Sequence, residues 1–151
     1  MSGARLGVDV GSVRIGVARC DGEQIVSLPV ETVPAGAESA RRVAQLAIEL
    51  GITVVYVGLP VSLAHRTTES TQAAVAFATE LAATAPDMDV RLVDERLSTT
   101  TAAQHLRTAG RSTRGSKSVI DQAAAMVILD HALEMERARG ALAGVAVGEY
   151  Q

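Results

Sequence analysis

Apolar positions at the start of the chain recur every second residue. Leu6, Val8 and Val10 alternate with small or polar neighbours, and Gly11-Ser12 then gives a turn signal. A second strand starts at Ile15-Gly16-Val17-Ala18, and Asp21-Gly22 is a hairpin dipeptide. Ile25-Val26 to Val33 supplies a third strand, in which Pro29 suits an edge or a bulge better than mid-sheet. Three strands joined by tight turns predict an antiparallel meander. The period then lengthens: Val43, Leu46, Ala47 and Leu50 recur at helical spacing, and Gly51 is placed to stop that helix. Thr53-Val54-Val55-Tyr56-Val57-Gly58 is a β-branched, nearly continuous apolar run, as a strand buried on both faces requires. A helix from about 69 to 83 follows, ended by Pro86, and Val90-Arg91-Leu92-Val93 reads as a fifth strand. Helices over about 99–109 and 119–139 complete the order βββαβαβαα. A meander feeding βαβ crossovers predicts an α/β fold with a mixed five-stranded sheet flanked by helices, the ribonuclease H-like arrangement.

Length and composition narrow the function. The 151 residues suit a single domain, with a core over about 4–139 and a short tail over 140–151. At 48% hydrophobic and 21% charged, the chain has enough apolar material to bury a core. Its only aromatic residues are Tyr56, Phe77 and Tyr150, which argues against base-stacking platforms for single strands. The formal net charge of −3 does not exclude a polyanionic partner, because a local basic patch outweighs the average. One cysteine, Cys20, precludes an internal disulfide or a multi-thiolate metal site. Met1 to Arg5 lacks the apolar core of a signal peptide, and no apolar run approaches the roughly 18 residues of a membrane span. A soluble, cytoplasmic protein with no membrane partner is expected.

Acids stand at three places where chemistry is expected. Asp9 lies between Val8 and Val10; its alternative role is to cap the Gly11-Ser12 turn. Asp94 and Glu95 follow an apolar strand, at the carboxyl end where open α/β sheets bind ligands. Adjacent residues on an extended chain face opposite sides, so only one of this pair should face a given site. Their alternative role is to complement the positive end of a helix started by Ser98. Asp121 closes Ser118-Val119-Ile120-Asp121, which has the form of a capping box, and the small residues Ala124 and Ala125 leave space on its face. Together the acids suggest hard-cation chemistry. Mg²⁺ takes a few carboxylates and completes its shell with water and phosphate oxygens. Two such ions roughly 4 Å apart hydrolyse phosphodiesters.

Four blocks then carry a family resemblance. Leu6-Gly7-Val8-Asp9-Val10-Gly11-Ser12-Val13-Arg14-Ile15-Gly16-Val17-Ala18 resembles the opening signature of the YqgF/RuvX family, whose members are called Holliday junction resolvases or pre-16S rRNA nucleases. Val57-Gly58-Leu59-Pro60, Val93-Asp94-Glu95-Arg96-Leu97-Ser98-Thr99 and Ile120-Asp121-Gln122-Ala123-Ala124-Ala125 resemble its other three, in the same order. The resemblance implies an RNase H-like fold, a cytoplasmic location and an endonuclease using Mg²⁺ or Mn²⁺, with two ions expected. It implies that Asp9, Glu95 and Asp121 are the catalytic and metal-binding acids. The substrate it implies is structured nucleic acid, a pre-16S rRNA 5′ end or a four-way DNA junction. Residues 61–67 depart from the usual pattern, and Cys20 stands where Ser is common.

Basic residues are expected to meet the substrate. Between Leu97 and Ile120 there is no acid, whereas Arg107, Arg111, Arg114 and Lys117 are basic. Either this is a solvated loop, or its charge draws a polyanion to a carboxylate cluster. Arg14 and Arg96, beside the first and second acids, have guanidinium forks that match phosphate. His65, His105 and His131 lack metal-ligand spacing, and no Walker A sequence is present. Cys20, near a turn, has two readings: a lone, inert thiol, or an exposed one that bridges two copies in an oxidised homodimer. Two other functions compete: a non-catalytic nucleic-acid-binding module of the same fold, and a fragment of an actin-like ATPase. Asp9-Val10-Gly11-Ser12 is similar to the phosphate loop of the latter, but those proteins need two domains.

Overall fold

The sheet grows outward from two hairpins and two crossovers in the computed structural model, which describes residues 3–21, 27–60, 69–94 and 116–150. Strand β1 (Arg5–Val10) turns at Gly11, whose N–H donates to the Arg14 carbonyl at 3.0 Å, into antiparallel β2 (Arg14–Cys20). Strand β3 (Ser27–Pro34) pairs antiparallel with β2 and forms one edge of the sheet. Its register shifts between Val17 and Ala18, opposite Glu31 and Pro29. Pro29 therefore stands both on an edge strand and beside a bulge, where its missing N–H is tolerated.

Helix α1 (Ser39–Glu49) follows, and its end is built locally. Gly51 has φ +69°, its N–H donates to the Ile48 carbonyl, and the Ile52 N–H donates to the Ala47 carbonyl at 2.9 Å. That pair of bonds is a Schellman motif, and it turns Ile52 into the core. Strand β4 (Val54–Leu59) is buried at every position, as a parallel central strand should be. Helix α2 (Glu69–Thr84) leads to β5 (Asp89–Asp94), parallel to β4. Helix α3 (Ser116–Arg139) closes the described core.

The two faces of the sheet differ. Leu6, Val8, Ile15, Val17, Val55, Val57, Val90 and Leu92 pack with Val43, Phe77 and Leu81 of α1 and α2. Cys20, Val54, Tyr56 and Val93 pack with Leu129, Ala132 and Leu133 of α3. Alternation along each strand thus gives a three-layer sandwich. The strand order is β3-β2-β1-β4-β5-β6, the ribonuclease H-like order with one strand beyond the five expected. That addition, β6 (Val145–Ala146), is too short to leave a periodic signal. With it the segment after α3 is tied down: Ala143 is buried, and its N–H donates to the Tyr56 hydroxyl at 3.1 Å. The helix expected over 99–109 lies outside the described residues.

Candidate active site

Asp9 faces α3. It shares the parity of Arg5 and Gly7 along β1 and stands opposite Gly16 of β2. Both glycines let the helix backbone touch the sheet. A Cβ on Gly16 would lie 2.0 Å from the Asp121 carbonyl oxygen, and one on Gly7 would lie 2.7 Å from that of Ala125. The helix is therefore laid directly on two bare strands, and Asp121 arrives beside Asp9. Burial pushes the Asp9 carboxyl up to about 6 from the usual 3.8, and the neighbouring charge of Asp121 adds to the rise.

Asp121 is held in turn. Arg14, the first residue of β2, donates from Nε to Asp121 Oδ2 at 3.0 Å, the two side chains being 34% and 20% exposed. The adjacent Gln122 donates from Nε2 to the Thr32 hydroxyl at 2.9 Å, tying the helix to β3. Helix α3 starts at Ser116, so Asp121 sits in its second turn, and no acid lies in the first. The capping-box role open to Asp121 is thereby removed. The turn-capping role of Asp9 is also weakened, because the turn is closed by the Gly11–Arg14 backbone bond.

The site lies at the carboxyl ends of β1, β4 and β5, the end at which open α/β sheets bind ligands. Asp94 ends β5, exposed, with the parity of Val90 and Leu92, and so belongs to the face opposite Asp9. Glu95, Arg96, Arg107, Arg111 and Arg114 lie outside the described residues; Lys117 falls in the first turn of α3. Among the described residues no group of three acids, histidines or cysteines forms a metal cluster. Asp9 and Asp121 nonetheless fit a hard divalent cation, since they offer carboxylate oxygens whose mutual repulsion such an ion relieves.

Cys20 corrects an expectation. Its residue is 0% exposed, and burial pushes the thiol pKa up. Proximity to a turn suggested exposure, but the residue points from β2 toward α3 and packs with Leu129 and Leu133. A disulfide between two copies would require that layer to open. A buried network unforeseen from the sequence lies at the other end of α3. Arg5 donates from Nε and Nη2 to both Glu136 carboxylate oxygens, at 3.0 and 3.2 Å, and the Tyr56 hydroxyl donates to Oε2 at 2.6 Å. The charged residue at the head of β1 was the available signal: Arg5 is 2% exposed and needs a buried acid.

Known proteins resemble this chain throughout its length. A family model described as "RuvX: Holliday junction resolvase" matches residues 3–135. A protein of Clavibacter sepedonicus named "Putative pre-16S rRNA nuclease" is 51% identical over 148 residues, covering 96% of this chain and 91% of its own. Proteins of the same name from Streptomyces avermitilis and Mycobacterium leprae are 48% and 49% identical, covering 96% and 90% of this chain and 94% and 75% of theirs. Among solved structures, T. thermophilus RuvC in complex with a Holliday junction substrate superposes with a TM-score of 0.58 at 16% identity, covering 92% of this chain and 98% of that one. This likeness establishes the ribonuclease H-like fold. Taken with the two carboxylates gathered at the carboxyl end of the sheet, the family match identifies the chain as a member of the RuvX family of nucleases.

Proposed function

We propose that this protein is a metal-dependent endonuclease that hydrolyses phosphodiester bonds of structured nucleic acid, with Asp9, Glu95 and Asp121 as its acids. The observation that carries the reading is the convergence of Asp9 and Asp121, 112 positions apart in the sequence, on one end of the sheet. The opposite parity of Asp94 supports Glu95 as the third acid. These side chains would hold one or two Mg²⁺ or Mn²⁺ ions. When bound, such ions activate water and stabilise the departing oxygen. The chain's own work is to hold carboxylates at fixed separation: β1 fixes Asp9, and α3, seated on Gly7 and Gly16, fixes Asp121. Arg14, Arg96, Arg107, Arg111, Arg114 and Lys117 supply positive charge for the phosphate backbone.

The names of the relatives point to the 5′ end of pre-16S rRNA, and the family description points to four-way DNA junctions. The test incubates purified protein with each substrate in Mg²⁺, in Mn²⁺ and in EDTA. Metal-dependent scission of either substrate is expected, and absence of scission of both would overturn the reading. Junction resolution requires two symmetric cuts and hence two copies, so the mass of the protein on the cleaved substrate separates the two uses.

A further inference from the structure

Arg14 is the first residue of β2, placed by the Gly11 turn beside the acid end of the sheet. It does not project toward solvent as a free phosphate ligand. Its Nε is committed to Asp121 Oδ2, one of the oxygens a cation would need. The pair is accessible all the same, with 34% of the Arg14 side chain exposed. Guanidinium prefers bidentate contact with phosphate, and a part-exposed ion pair of this kind is weak enough to exchange partners. The backbone at Asp121 is held, because its carbonyl rests against Gly16 and the next residue is bonded to Thr32. The longer and more exposed Arg14 side chain is the partner with room to swing.

We propose that Arg14 is a charge shuttle: it occupies Asp121 until a phosphodiester phosphate of the nucleic acid draws it off, which opens Asp121 to the metal ion. The inference rests on the proposed function and deepens it, by making nucleic acid and metal bind cooperatively through one side chain. Linkage makes the coupling reciprocal, so each ligand tightens the other by the same factor. An enzyme built this way binds its metal ion more tightly on nucleic acid than in free solution.

The test measures Mn²⁺ binding without nucleic acid, from the signal of the free aqueous ion in electron paramagnetic resonance. Arg14→Gln should bind Mn²⁺ about two- to fivefold more tightly than wild type, the factor expected for losing one part-exposed competitor. Arg14→Lys, which keeps the charge, should stay near wild type. In EDTA, fluorescence anisotropy of a labelled four-way junction and a labelled RNA stem-loop should show weaker binding by Arg14→Gln. The salt slope for that variant should fall by about 0.7–0.9, the loss of one phosphate contact. Asp121→Asn should strengthen binding in EDTA, and by a smaller factor when Arg14 is already Gln. Equal or weaker Mn²⁺ binding by Arg14→Gln, or independent effects of the two substitutions, would overturn the shuttle. Failure of wild type to bind Mn²⁺ with or without nucleic acid would instead overturn the nuclease reading itself.

Discussion

Asp9 keeps its proton longer than an ordinary aspartate because burial and Asp121 both disfavour its charge, which lifts its pKa to about 6. The folded state therefore binds more protons than the unfolded state between about pH 4 and 6. Stability of the metal-free protein should fall through that window as pH rises. In EDTA at pH 7, Asp9→Asn should be more stable than wild type by roughly 1–2 kcal/mol in urea unfolding, and the gap should close near pH 4. Adding Mn²⁺ should stabilise wild type and not the variant. A gap that persists unchanged at pH 4 would mean that the gain comes from packing and not from charge. Cys20 yields a second test at this scale. Buried under α3, with its thiol pKa raised, it should label with an aromatic disulfide reagent only once denaturant opens the fold, and oxidised protein should run at monomer mass. Rapid labelling of the native protein would contradict the packing of β2 against α3.

At the scale of elements, α3 is anchored at both ends of the sheet. Gln122 fastens it to Thr32, next to the exchangeable Arg14–Asp121 pair, and Glu136 fastens it to Arg5 and Tyr56. The fifteen helical steps from Asp121 to Glu136 span about 22 Å, so the anchors lie far enough apart to set the axial position of the helix. Near Asp121 the helix rests on Gly16 and Gly7, which give side chains nothing to interlock with and leave register there to the directional bonds; further along, Leu129 and Leu133 pack on the sheet. Arg5→Met or Glu136→Leu alone strands a buried charge and should cost about 3–5 kcal/mol in urea unfolding, whereas the double substitution should cost much less than the sum. Additive losses would show that the two residues act separately.

For the whole molecule, what was legible in the sequence was what short spacing encodes. The Val54–Leu59 run reads as a doubly buried strand, and Gly51 reads as a helix stop, because each depends on neighbours within a few residues. What escaped was set by distant packing. The Arg14–Asp121 pair joins positions 107 apart, Cys20 is buried by a helix that starts nearly a hundred residues later, and β6 exists only because β5 offers it an edge. Each acid alone had an ordinary structural role; together they suggested a hard cation, and the four family blocks in order then singled out Asp9, Glu95 and Asp121. The site is tested most directly by one measurement, the single-turnover cleavage rate of Asp121→Asn in Mg²⁺ beside wild type, on whichever substrate wild type cuts. With its fold confirmed by circular dichroism, the variant should lose at least about a hundredfold in rate, since the substitution removes one charge from a shared metal centre. A rate within twofold of wild type would contradict the site.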